Sequence, residues 1–333
     1  MADTFEEISI VRGAPGSDPP TDSSSSKRKL GLGGWICAGW LMLMVAVAIF
    51  GPLLVADPAN SSARAPHCGD GSGLPIYPVY DPTNCRDRAA RDSQADHKGA
   101  VGEVTHLTGV DTAGHDTFSQ VFIGTRITLI IAVVSIGLAT LIGGAMGLAA
   151  GFFRGKVDVV CTLFFDVMIA FPPLILALLL VLNVAAGIES RKVPAIIVAL
   201  TVVAIPILGR ISRASTLSWA EREFVMASRA LGAKPFRIIL REVLPNVAPA
   251  MMSIAMLGIG IVIVTESSLS IIGLGVPDSA ISWGYVVAKG AETFRQFPHL
   301  VFVPSVPIVL TVCALNFLGD ALRRKFDVRE SAL

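Results

Sequence analysis

Long apolar runs alternate along this chain with short stretches that are polar, basic or punctuated by Gly and Pro. Six runs approach the length of a bilayer crossing: Trp35 to Ala56, Thr125 to Phe153, Val157 to Leu182, Val193 to Leu208, Val247 to Thr265 and Leu300 to Leu318. A helix needs roughly 20 apolar residues to cross a hydrocarbon core. Inside lipid such runs satisfy their backbone groups economically only as helices. The expected fold class is an all-α membrane protein with six transmembrane helices. Phe171-Pro172-Pro173 interrupts the third run. Proline removes a backbone donor and crowds the preceding turn, so a kink or break is expected there.

Composition agrees with lipid as the main solvent. The chain is 53% hydrophobic and only 16% charged, well below the charge content of an ordinary soluble domain. A net charge of +1 gives no reason to expect a nucleic-acid partner. The distribution of charge says more. Most of the 27 Lys and Arg residues would lie on one side: Arg12, Lys27, Arg28 and Lys29, then Arg154 and Lys156, a group from Arg210 to Arg241, and Arg323 to Arg329. The positive-inside rule makes that side, and both termini, cytoplasmic.

The implied layout follows. Residues 1–34 are a cytoplasmic disordered tail, rich in Ser, Pro and Gly. Residues 35–56 form the first transmembrane helix, read as an uncleaved anchor because the run is too long for a signal peptide. Residues 57–118 are an extracytoplasmic insert, with nine acids against five Lys or Arg. Residues 119–322 form a five-helix core containing a cytoplasmic loop at 210–246, and 323–333 are a cytoplasmic tail. Cys68 and Cys85 flank part of the insert, and a pair in an oxidising compartment suggests a disulfide, the alternative being two free thiols. With His67 and His97 they match no standard zinc spacing, so no metal site is expected.

The segment MASRALGAKPFRIILREVLPN, Met226 to Asn246, is basic and punctuated by Gly and Pro between two apolar spans. Phe224, Ala227, Ser228 and Leu231 fall on one helical stripe. Gly232 suits a helix C-cap, and Pro235 suits the first turn of a second helix. That second helix would carry Phe236, Ile239, Leu240 and Val243 on one face and Arg237 and Arg241 on another, ending at Leu244-Pro245-Asn246. Two readings stand for the resulting bent pair. It is either an interfacial basic loop on anionic lipid or a docking element for a soluble partner.

This segment closely resembles the cytoplasmic coupling loop of ABC importer permeases. The likeness is to the peptide and nickel permease family, and within it to the second, C-type subunit. GVDTAGHDTFSQVFIGTRITL (Gly109 to Leu129), GFFRGKVDVVCTLFFDVMIAFPPLILAL (Gly151 to Leu178), ESSLSIIGLGVPDSAISWG (Glu266 to Gly284) and NFLGDALRRKFD (Asn316 to Asp327) are similar to further family stretches. Met226, Ser228 and Glu242 depart from the loop's general pattern. The resemblance implies a type I importer permease fold, with ATPase coupling through Phe224, Ala227, Ser228, Leu231, Gly232, Phe236, Arg237, Leu244 and Pro245. It implies as partners a homologous permease, making a heterodimer, one or two ATPase subunits and an extracytoplasmic peptide-binding protein. The location implied is a bacterial inner or plasma membrane.

No G-x-x-x-x-G-K-[ST] phosphate loop occurs, so ATP and Mg are expected on partner subunits and no cofactor on this chain. No nucleophile–base pair is evident either, so the chain is expected not to be an enzyme. Asp166 lies about 13 Å into the third run if that run is a straight helix. An acid at such depth faces either a pathway or a partner helix. Pro172 and Pro173 beside it are candidates for a hinge or gate. Glu266 and Ser270 close the fifth run, and Ile271 to Val276 after them is too short to span, reading as a re-entrant or interfacial helix. The expected function is the permease subunit of an ATP-driven importer of oligopeptides or dipeptides. A nickel importer of the same family is the near alternative. An ion-coupled secondary transporter is the alternative from another class.

Overall fold

The computed structural model describes residues 32–54, 117–295 and 297–330, and these contain helices and turns but no strand. The elements are α1 (Leu32–Leu54), α2 (Thr117–Phe153), α3 (Gly155–Ala170), α4 (Pro173–Ala185), a 3₁₀ turn, α5 (Lys192–Ala220), α6 (Glu223–Ala230), α7 (Pro235–Ile238), α8 (Leu244–Ile271), α9 (Trp283–Glu292) and α10 (His299–Glu330). Five segments are long and apolar enough to cross a membrane, and α3 with α4 makes a sixth if that bent pair counts as one. Most of the 1–34 tail, the 57–118 insert and the Cys68–Cys85 pair lie outside the described residues, although α1 begins at Leu32, inside the range expected to be tail.

The break in the third run is sharp. Axes of α3 and α4 differ by 91°. Phe171, preceding a proline, takes an extended conformation at ψ 134°, because the next ring disfavours the helical region. Pro173 then starts α4 at a position where no N–H is missed.

Close helix contact centres on α2 and α5. Gly143, Gly147 and Gly151 recur every fourth residue, which stacks them on one face of α2. A methyl group on Gly147 would lie 2.3 Å from the Gly209 carbonyl oxygen, and one on Gly143 would lie 2.5 Å from that of Ile205. Small residues let two membrane helices approach this closely and gain dispersion contacts without a hydrophobic driving force. Ser212 Oγ donates to Gly144 O at 2.8 Å across the same seam.

Two apolar clusters result. One joins Ile131, Ile136, Val181, Ile196, Ile263 and Trp283 of α2, α4, α5, α8 and α9. The other lies at the end that carries the basic residues and joins Phe165, Ile205, Leu208, Val225, Ile239 and Val247. The second cluster seats the basic loop.

Candidate functional site

The basic loop begins later than expected, because α5 continues as regular helix to Ala220. Residues 210–220 of the expected loop are thus its last turns, held by contacts to α2 and α3. After Glu221 and Arg222 comes α6, which ends as the sequence predicts. Gly232 sits at φ +80°, Gly232 N donates to Arg229 O at 3.0 Å and Ala233 N to Ser228 O at 3.1 Å. This is a Schellman cap, in which a residue without Cβ takes the left-handed position. Pro235 opens α7 in its first turn.

The second helix does not stop at Leu244-Pro245-Asn246. It passes through a π-helical turn, Ile239–Val243, directly into α8. Pro245 has no N–H for the carbonyl one turn back, so the ladder shifts register. Leu244 N donates to Ile239 O, and Asn246 Nδ2 donates to Glu242 O at 2.6 Å. Loop and span are therefore one continuous element.

Its two faces differ from the expected stripes. Val225, Ile238, Ile239 and Val243 are buried in the lower cluster. Phe224, Leu231 and Phe236 are 42%, 88% and 71% exposed. Ala227, Arg237, Leu240 and Pro245 are also exposed, with Ser228 and Leu244 half-buried. Ser228 Oγ donates to Glu242 Oε1 at 2.6 Å, so two of the departures from the family pattern are partners that clip α6 to the π turn. Arg229 stacks over Phe152 with its guanidinium carbon 4.8 Å from the ring centre.

Asp166 pairs with Arg210 of α5, and Asp158 grips Arg213 through both oxygens. Arg210 stands at the basic end of the α5 apolar run, so Asp166 lies at that level. Arg210 is about 15 Å along α5 from its end at Ala220, a level comparable with the ~13 Å expected for Asp166 from its place in the run. Pro172 and Pro173 are exposed at the α3–α4 break.

Glu266 and Ser270 lie at the other end of α8, about 33 and 39 Å from Leu244 at ~1.5 Å per residue. Glu266 is 1% exposed. Its Oε1 accepts from Ser282 Oγ at 2.7 Å and Ser270 Oγ at 3.0 Å. Ser282 also caps α9 by accepting from Tyr285 N at 3.0 Å. Trp283 Nε1 donates to Val121 O at 3.0 Å, tying α9 to α2. Ile271 to Val276 is not the short helix expected. Gly273, at φ +88°, closes α8 with a second Schellman turn, Leu274 N donating to Leu269 O at 2.9 Å. The short helix is α9, and a cavity of about 690 Å³ beside it is lined by Glu189, Lys192, Ser270, Asp278, Lys289 and Glu292 among others.

Sequence reasoning missed the Gly143-Gly147-Gly151 seam, whose small-xxx-small spacing was available. It also missed Arg210 and Arg213 as partners of Asp166 and Asp158, which no local pattern signals.

A bundle of long apolar helices with an anchored, outwardly apolar loop is the architecture of a multi-pass membrane protein. The chain belongs to the family described as binding-protein-dependent transport system inner membrane component, whose model matches residues 140–331. Among its relatives, the glutathione transport system permease protein GsiD of Pectobacterium atrosepticum is 33% identical over 222 residues, covering 67% of this chain and 72% of that protein. The dipeptide transport system permease protein DppC of Alkalihalophilus pseudofirmus is 28% identical over 94% of both chains. A chain of the MetNI methionine ABC transporter, solved in inward-facing conformations, shares the fold at TM-score 0.50 and 22% identity, over 61% of this chain and 94% of that one. The fold class is thus that of type I importer permeases, and the ion-coupled transporter is set aside.

Proposed function

We propose that this chain is a permease subunit of an ATP-driven importer of small peptides, located in the plasma membrane with both termini and the basic loop in the cytoplasm. One observation carries the coupling role. Phe224, Leu231 and Phe236 are exposed on a loop whose opposite face is locked into the core. An apolar knob on a rigid base fits a groove on a soluble partner, and the neighbouring arginines steer and rim that contact. The partner is an ATPase subunit, which holds ATP and Mg. A homologous permease completes the pathway, and an extracytoplasmic binding protein delivers substrate. The relatives named for glutathione and dipeptides support a peptide substrate.

In this mechanism, closure of the ATPases displaces the loop. Because α7 and α8 are continuous, the displacement enters the membrane along α8. Asp166 with Pro172 and Pro173 flanks the pathway at one end, and Glu266 with Ser270 forms part of the gate at the other. Nucleotide biases the two states through contacts that differ between them.

The test replaces Gly232 by Trp. A Cβ there meets nothing of this chain within 4 Å, and Gly232→Ala, which carries the same backbone strain at φ +80° without the bulk, is the control. ATP hydrolysis should persist while uptake is lost, with the chain still in the membrane. Unchanged uptake would overturn the docking role. Uptake of dialanine, tetra-alanine, glutathione and nickel(II) by a strain lacking the chain, with and without it restored, assigns the substrate. Restoration of nickel uptake alone would select the metal importer instead.

A further inference from the structure

We infer that the groove between α1 and α2 binds a phospholipid of the leaflet farther from the basic loop, with its phosphate on Arg126 and one acyl chain lying along the groove. That is the outer leaflet on the topology proposed above.

The groove is a cavity of about 530 Å³, walled by Leu41 to Ile49 of α1 and Arg126 to Val134 of α2, with Ile259 of α8 and Leu315 of α10 also lining it. Among the described residues that line it, Arg126 alone is charged. It is exposed and pairs with no carboxylate among the described residues. A guanidinium facing hydrocarbon is costly unless an anion or a route to water meets it. Its depth selects between these. A methyl group on Gly51 would lie 3.4 Å from Phe122 O, so α1 and α2 are level there, and Gly51 ends the apolar stretch of α1. Arg126 stands four residues further in, about 6 Å at ~1.5 Å per residue. A long arginine stem covers that distance along apolar surface and brings its head to the phosphate level. There the planar fork matches two phosphate oxygens.

The length of the groove fits a lipid chain and not a helix of another subunit. From Arg126 to Val134 is about 12 Å. The groove therefore ends about 18 Å below Gly51, near the middle of a ~30 Å hydrocarbon core. At that level α1 settles on α10. Trp40 Nε1 donates to Thr311 Oγ1 at 3.0 Å, and a methyl group on Gly33 would lie 3.5 Å from the Phe317 ring. A transmembrane helix would have to run on through the second leaflet, where the groove does not continue. An acyl chain ends at the midplane. The lipid also supplies what α1 lacks. Only 11% of its apolar stretch is buried, against 28% or more in each of the other four long segments, so a chain filling the groove adds dispersion contacts that hold α1 to the bundle.

The experiment places the assembled transporter in nanodiscs of phosphatidylcholine with a small share of phosphatidylglycerol carrying a diazirine on its acyl chain. Illumination and peptide mapping should mark residues 41–49 and 126–134. At limiting probe, Arg126→Gln should lower that labelling about tenfold, as loss of one hydrogen bond to a charged group does, with labelling of the other helices unchanged. Labelling of the groove equal to that of the unmodified transporter overturns the inference. If Arg126→Gln does not assemble, Ala48→Trp fills the groove from α1 and leaves Arg126 in place. It should lower the labelling as far, and unchanged labelling again overturns the inference. A helix of the homologous permease cross-linked to a photoreactive residue at Val45, with no lipid mark in the groove, would make the groove a subunit interface instead. Labelling does not depend on import, so the coupling reading can fail without touching this one.

Discussion

Gly147 is the most constrained point of the α2–α5 seam, and Gly147→Ala measures what that seam contributes. The added methyl carbon would stand 2.3 Å from Gly209 O, 2.6 Å from Ser212 Cβ and 2.8 Å from Arg213 N. Two of these are backbone atoms, which no rotamer change can move. A carbon next to a carbonyl oxygen rests at about 3.3–3.6 Å, so the helices must part by about 1 Å. Overpacking of this kind costs about 1–3 kcal/mol. Parting also stretches the Ser212–Gly144 hydrogen bond, and such bonds between membrane helices contribute roughly 0.6 kcal/mol. Alanine gains about 1 kcal/mol over glycine in a helix, which masks part of the loss. The control is therefore Gly137→Ala, on the same helix, where a methyl group meets nothing within 4 Å. Measured against that control, Gly147→Ala should be destabilised by about 2–4 kcal/mol. The assay is titration with SDS of the purified chain in dodecyl maltoside, followed by tryptophan fluorescence. If the two variants unfold within about 0.5 kcal/mol of each other, the close approach of α2 and α5 is wrong.

Other consequences follow from single contacts. Gly209→Ala should destabilise by about 1–3 kcal/mol in the same titration, because its methyl meets the Phe165 ring. Phe165→Leu should recover part of that loss, and no recovery would mean that the ring does not lie there. Glu266→Leu should cost about 1–3 kcal/mol by leaving the buried Ser282 hydroxyl without its acceptor. Glu266→Gln keeps that acceptor and should stay within about 1 kcal/mol of the unmodified chain; equal losses for both would refute the assignment. Ser228→Ala should loosen α6 from the π turn by about 1 kcal/mol, read as faster amide exchange at Leu231 to Ala233 with the rest of the helices unchanged.

Much of this protein was legible in the chain because local physics suffices for it. Long apolar runs must be helices in lipid, since nothing else there satisfies backbone polar groups. Gly232 and Pro235 each have one backbone preference, so the cap of α6 and the start of α7 fell where those residues stand. Phe171-Pro172-Pro173 announced a break for the same reason. Other features depend on residues far apart in sequence. Pro245 looked like a terminator, yet a shift of the hydrogen-bond ladder at Ile239–Val243 carried the helix through it. Which stripe of the loop is buried was decided by the cluster around Phe165 and Ile205, which belongs to other helices. The partner of Asp166, an arginine 44 positions away on α5, was decided by packing between the two helices. Sequence determined where helices start, bend and stop, because caps, prolines and apolar length act over a few residues. Only the tertiary structure decided which faces and charges meet, because partners in contact are chosen by packing in space and leave no mark on either local pattern.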